Sequence, residues 1–478
     1  MLVVGSMIGS GIFIVSAESA RLLGAPGWLL VAWALAGVMT ITGALCFGEL
    51  AAAMPKAGGP YVFMSEAYGK PVGFLYGWSQ FLIVQSGTIA AVAVAFANFT
   101  GILIPQISST NYLIEPIVFG SYAVSLSTQQ LLAIASIALL TFINTRGLKV
   151  GKWIQNSFTI TKTLALLALV FVGLLFGWNS GGALFSADLW NSRANGWTLE
   201  TAQPAAAALG SLAFVVVLGK AMTGPLFSQS AWDNITFTGA EVENPGRNLP
   251  LALIIGCLIV VGLYFLANVA YVVTLSLPAL QNAPNGRVAV AVMEQIIGAP
   301  GLIIMAFALM ISTFGCNNGL ILSGARVSYA MAKDGYLFAP LARTNRRYVP
   351  AFALLAQCVW ACVLILPRTV TYSGDKPVFG NVYTQLLEYI VSVDLISAAL
   401  SVLAVIVLRR RQPLMERPYK VWGYPFTPLV FLALSMFVTL TLLYLAPGTA
   451  GIGYLLALTG IPVYFLWRKR TGRGSTTD

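Results

Sequence analysis

Gly5-Ser6-Met7-Ile8-Gly9-Ser10-Gly11-Ile12-Phe13 is the stretch of this 478-residue chain best suited to chemistry. Its glycines let the backbone leave helical geometry and turn N–H groups toward a ligand. A half-helix starting there presents its positive end, which suits a carboxylate. Two rivals use similar residues. A phosphate-binding glycine loop would need a preceding strand and a following Lys, and neither is here. Close helix packing through small residues is the other. A second stretch holds Gly224-Pro225, then Phe227-Ser228-Gln229-Ser230 and Trp232-Asp233-Asn234. Carbonyls freed at Phe227, Ser228 and Gln229 would accept hydrogen bonds from an ammonium. Ser230 and Asp233, three apart, read as a capping box for the helix that follows. Trp232 reads as a gate or as a buried aromatic. The two stretches nominate Ile8, Gly9, Ser10, Gly11, Ile12, Phe227, Ser228, Gln229, Ser230 and Trp232 as a binding site for a small zwitterion.

Lys162 lies in the middle of an apolar run, in Asn156-Ser157-Phe158-Thr159-Ile160-Thr161-Lys162. A charge inside a membrane costs several kcal/mol and marks function by default. Desolvation lowers a lysine pKa, so it could carry a coupling proton. The alternative is a fixed cation that stands in for a sodium ion, with Ser312 and Thr313 as hydroxyl neighbours. Lys220 is expected to snorkel toward an outer vestibule, and Glu388 and Asp394 are further candidate relays, with helix-end solvation the plainer account of Glu388. The chain has no His, which removes imidazole metal sites and His-based catalysis. Cys46, Cys257, Cys316, Cys358 and Cys362 all sit in apolar runs, so neither a disulfide scaffold nor a zinc site is expected. No catalytic triad, paired-carboxylate or metal cluster appears. The chain reads as neither an enzyme nor a cofactor binder.

The elements that position these residues follow from composition. Hydrophobic residues make up 58% and charged residues 9%, with mean hydropathy +0.82; a soluble chain carries about 25% charged residues. The apolar runs are long and do not alternate, against a β-barrel. An all-α integral membrane fold is expected, with twelve transmembrane helices at 2–23, 28–53, 72–104, 130–144, 154–178, 205–242, 249–275, 302–331, 352–366, 383–408, 425–445 and 454–467. They form one domain over 1–478: helices 1–5 over about 2–178, helices 6–10 over about 205–408, helices 11 and 12 over about 425–467. With both termini cytoplasmic, twenty of the 27 basic residues fall inside and five outside, as the positive-inside rule asks. Anchoring at anionic lipid headgroups then accounts for the net charge of +11, and nucleic acid is not needed. No cleavable signal peptide is expected. Only eight residues precede Gly9, about 12 Å of helix, so a native start upstream of Met1 is expected.

Helices 1 and 6, five apart, are the two with breaks. That is the sequence signature of a five-plus-five inverted-repeat transporter with its site at the membrane midplane, and unwound backbone survives there only where it lines a cavity or is buried in protein.

Several stretches resemble the amino acid–polyamine–organocation superfamily of permeases. They are Gly9-Ser10-Gly11-Ile12-Phe13, Gly48-Glu49-Leu50-Ala51 with 55–61, Glu66-Ala67-Tyr68-Gly69 and 73–78. Glu243-Asn244-Pro245-Gly246-Arg247 with 248–250, the run 323–335, and Arg417-Pro418-Tyr419-Lys420 with 423–425 complete the set. The resemblance runs from helix 1 to helix 12. It implies alternating access, with the helix 1 motif on the carboxylate of an amino acid. Lys162 matches the helix 5 Lys of sodium-independent members. The chain is most similar to the L-type amino acid transporter branch, which often has glycines where Ser230 and Ala231 stand. Light chains of that branch use a Cys between helices 3 and 4 to join a heavy chain; 105–127 has none, so no disulfide-linked partner is expected.

The resulting expectation is a secondary transporter of neutral L-amino acids in an inner or plasma membrane, a sodium-independent exchanger or a proton symporter. A cationic amino acid or polyamine carrier is the runner-up; it would want an acidic pocket group, and neither break is read as offering one. A non-transporting amino acid sensor is the alternative of another class, but no soluble stretch is long enough for a signalling domain.

Overall fold

The computed structural model describes residues 2–56, 58–146, 148–178, 181–193, 195–347, 349–373 and 376–471. In chain order the helices begin with α1 (Leu2–Met7), α2 (Gly11–Leu23), α3 (Pro26–Ala53), α4 (Pro60–Tyr68), α5 (Lys70–Ser79) and α6 (Gln85–Leu103), with a π-helical turn, Gln80–Val84, joining the last two. Strands β1 (Tyr112–Phe119) and β2 (Tyr122–Ser127) lead into α7 (Thr128–Thr145) and α8 (Leu148–Phe176). Then come α9 (Leu199–Ala202), α10 (Ala213–Ala221), α11 (Thr223–Ser228), α12 (Asn234–Phe237), α13 (Pro245–Thr274), α14 (Leu277–Gln281), α15 (Val288–Ile297), α16 (Ala299–Lys333) and α17 (Ala351–Leu364). Strands β3 (Pro367–Ser373) and β4 (Lys376–Phe379) precede α18 (Val382–Arg411), α19 (Phe426–Leu445), α20 (Pro447–Leu458) and α21 (Gly460–Thr471).

Ten helices among the described residues are long and apolar enough to cross a membrane. The other two expected crossings are shorter. The first is split into α1 and α2, and α17 has 14 residues, about 21 Å of helix against a hydrocarbon core of about 30 Å. Large apolar side chains stand exposed on the rim, among them Phe171 at 65% and Phe176 at 72%. That surface is what a bilayer solvates and water does not. α13 packs along α3 and α16 along α6, and α18 is in contact with α3, α6, α11 and α19.

An all-α chain was the expectation, and the structure corrects it with a four-stranded antiparallel sheet, in order β1-β2-β3-β4. Its strands come from two separate connections, 112–127 and 367–379, with Tyr122 opposite Thr369. Both hold Val and Tyr, with Ile in the first and Thr in the second, residue types that favour strands. Ser127 then starts α7 by a capping box with Gln130,.

Candidate functional site

The first helix is unwound at Ile8, Gly9 and Ser10, between α1 and α2. Helix ends leave carbonyls without partners, and inside a membrane these must be met by the protein. Three neighbouring helices meet them here. Lys162 Nζ, on α8, donates to the Gly5 carbonyl. Tyr264, on α13, donates to the Met7 carbonyl at 2.8 Å, and Cys316, on α16, approaches the Ser6 carbonyl at 3.7 Å. Ser10 Oγ is 3.0 Å from the Tyr383 hydroxyl of α18. At the start of α2 the Phe13 N–H donates to the Ser10 carbonyl at 3.2 Å, and the N–H groups of Gly11 and Ile12 ahead of it form the helix's positive end.

The sixth expected helix is opened between α11 and α12. Ala231 takes a left-handed conformation, φ 65°, which costs a residue with a Cβ roughly 1–2 kcal/mol. The turn it makes changes the expected chemistry. Asp233 stands before α12 but makes no side-chain cap, and Ser230 Oγ instead donates back to the Phe227 carbonyl at 2.7 Å. The expected Ser230–Asp233 capping box is therefore absent, because the left-handed residue between them removes helical spacing. The Phe227 carbonyl also accepts from the Ser230 N–H at 3.1 Å. It is already occupied.

The two breaks touch. A Cβ at Gly11 would overlap Ser228 Oγ and lie 2.8 Å from Ser228 Cα; one at Gly9 would lie 3.0 Å from Cys316 Sγ. The Phe227 ring meets Tyr383 edge-on, centroids 6.1 Å apart. Ser10, Gly11, Phe227 and Ser228 are thus gathered around Tyr383, with Ile8 and Ile12 fully buried behind. Gln229 and Trp232 face elsewhere. Gln229 accepts from Thr40 at 2.9 Å and donates to the Trp33 carbonyl at 3.4 Å, both on α3. Trp232 packs edge-on against Phe47, at 4.7 Å. Reasoning from sequence missed Tyr383 and Tyr264. A tyrosine inside an apolar run is the signal available, since its buried hydroxyl needs a partner.

Lys162 is fully buried. The expected hydroxyl neighbours do other things: Thr313 donates to the Leu309 carbonyl of its own helix at 2.7 Å, and Ser312 Oγ is buried without a partner among the described residues.

Above Tyr383 a cavity of about 690 Å³ opens, lined by Val15, Gly224, Lys220, Arg368, Tyr383 and Glu388 among others. Lys220 stands 4.0 Å from Glu388, which also accepts from Thr449 at 2.6 Å. The far end of α18, a helix that also lines the cavity, is tied to α3. Arg409 of α18 grips Glu49 of α3 with two hydrogen bonds of 2.8 and 2.5 Å, Arg417 adds an ion pair at 3.4 Å, and the Val421 N–H donates at 2.7 Å. Tyr61 of α4 also donates to Asp334 at 2.7 Å; burial, then this carboxylate, raises its hydroxyl pKa above the ordinary value,.

Two opened helices in contact beneath a cavity, in a bundle open on one face and latched on the other, define a membrane carrier rather than an enzyme. The chain belongs to the amino acid permease family, whose match covers residues 1–467. It is 30% identical to Asc-type amino acid transporter 1 of Mus musculus over 98% of this chain and 80% of that one. Large neutral amino acids transporter small subunit 2 of Homo sapiens is likewise 30% identical, over 97% and 78%. The Serine/threonine exchanger SteT of Bacillus subtilis (strain 168) is 29% identical over 98% of this chain and 95% of the exchanger.

Proposed function

We propose that this permease carries small neutral L-amino acids by sodium-independent exchange or proton symport. The observation that carries the reading is the contact of Gly11 with Ser228 under the large cavity. It brings the positive start of α2 and the carbonyl-rich end of α11 together, so a carboxylate and an ammonium two bonds apart can be met at once. The neutral substrates in the names of the similar transporters support the same class. The carboxylate is assigned to the N–H groups of Gly11 and Ile12. The ammonium is assigned to Ser228 and its neighbours, since the Phe227 carbonyl is engaged by Ser230.

In this reading the chain crosses the membrane twelve times, counting α1 with α2 and α17, as one domain of five-plus-five inverted repeats followed by two helices. The cavity faces out and the Glu49 latch lies in the cytoplasm with both termini, in an inner or plasma membrane. Lys162 acts as the fixed cation beside the first break. No disulfide-linked heavy chain is required, because 105–127 has no Cys and all five cysteines are buried or half-buried. Uptake of labelled amino acids into proteoliposomes holding the purified chain tests this. Unlabelled serine or alanine should compete better than arginine or putrescine. A polyamine as best competitor would refute the neutral assignment.

A further inference from the structure

A second, smaller polar site lies beside the break of the sixth expected helix. Asp233, at the start of α12, and Asp394, in the middle of α18, line one small chamber of about 20 Å³ together with Tyr76 of α5, Trp232 and Ser401. That is room for about one water molecule. Tyr76 is 4% exposed, and its hydroxyl has no hydrogen-bond partner among the described residues. A buried, unpartnered hydroxyl in a wall shared with two carboxyls points to something that bridges them. Gln80, the first residue of the π-helical turn, lies beside Asp394; such turns recur at functional sites. Asp394 also lines a neighbouring chamber of about 40 Å³ with Ser230, Gln229 and Thr40. One carboxylate therefore belongs both to this site and to the wall of the opened helix.

No Lys or Arg lines either chamber. From the elements packed around the pair, the titratable groups that face it are Tyr76 on α5 and Cys257 on α13. Two other acids of α3 and α18 are paired elsewhere, Glu49 with Arg409 and Arg417 and Glu388 with Lys220. Two half-buried carboxylates that line one small chamber without a counter-cation repel each other when both are ionised, which favours a proton held by the pair.

We infer that Asp233 and Asp394 share a single exchangeable proton, oriented by Tyr76, and that its loss or gain moves the opened helix and so couples proton movement to transport. Protonation turns one carboxylate into a carboxylic acid that donates to the other. Deprotonation returns the proton to water and leaves two like charges, which drives α12 and α18 apart at the wall that Ser230 shares. The coupling rests on the transport reading above; the shared proton does not.

The test uses the full chain purified into proteoliposomes. Infrared spectra taken at about pH 6 and about pH 8 without substrate should contain a protonated-carboxyl stretch, recognised by its downshift in heavy water. It should be missing from Asp233→Asn and from Asp394→Asn, and displaced in Tyr76→Phe. Absence of the band from the unmodified chain overturns the site, as does its persistence in both Asn variants. A band removed by sodium chloride but not choline chloride at constant pH overturns the proton in favour of a metal ion. Serine accumulation should rise up to about tenfold for an inward gradient of one pH unit, and Asp394→Asn should lose that dependence. Serine movement indifferent to the gradient overturns the coupling. A chain that moves no amino acid at all refutes the transport reading and with it the coupling, while the infrared result decides the shared proton by itself.

Discussion

Among the described residues Lys162 is held by one carbonyl, that of Gly5, one turn before the unwound stretch. Removing the ammonium leaves that acceptor unmet in a dry interior, a cost of about 1–3 kcal/mol, placed where the first helix opens. Lys162→Ala should therefore lower exchange about tenfold or more and change substrate binding less, read from initial rates against competition binding. Full activity would make the residue structural only, and sodium-stimulated uptake by the unmodified chain would remove the fixed-cation role. At Ala231 the sign is reversed. A left-handed conformation costs a Cβ roughly 1–2 kcal/mol, partly offset by the extra freedom glycine has when unfolded. Ala231→Gly should raise the melting temperature in detergent by about 1–2 °C. The sequence marked Lys162 by its isolation in an apolar run. It could not mark Tyr383, because a tyrosine in such a run looks the same whether its hydroxyl meets Ser10 or a helix carbonyl.

Between elements, the informative contact is that of α2 with α11. Gly11 was legible as a residue that a helix break needs, and glycine freedom looked like the reason. The structure supplies a stricter one, since any side chain there collides with Ser228, backbone included. Gly11→Val should push the two breaks apart and abolish substrate binding. Melting temperature should also fall, because the displaced atoms belong to a packed core and not to an open pocket. Unchanged affinity in Gly11→Val, measured by competition, would remove both breaks from the site. The long apolar spans and both breaks could be read from residue order, because period and length carry them. The sheet and the π-helical turn could not. The first depends on 112–127 meeting 367–379 across some 240 residues, and the second shifts hydrogen bonds without changing the hydrophobic pattern.

Across the whole molecule, the bond network at Glu49 closes the face opposite the large cavity. Glu49 is 2% exposed and accepts from Arg409 and from the Val421 N–H, with Arg417 paired beside them. It ties the end of α3 to the end of α18 and to the segment after it. The other end of α18 borders the large cavity, so the bond network closes this face of the bundle while the opposite face stands open. Breaking one partner of a buried ion pair costs about 3–5 kcal/mol, because the remaining charges stay desolvated. Glu49→Gln keeps the shape and removes the charge, so its cost falls on the latched state alone, and the balance moves toward opening on this face. Cys46 lies one turn before Glu49 on α3 and is fully buried, which makes it a built-in reporter. In Glu49→Gln it should react faster with a membrane-impermeant maleimide, located by mass spectrometry, by about tenfold or more. Charge pairing that merely stabilises the fold would lower the melting temperature but leave Cys46 as slow to react as before.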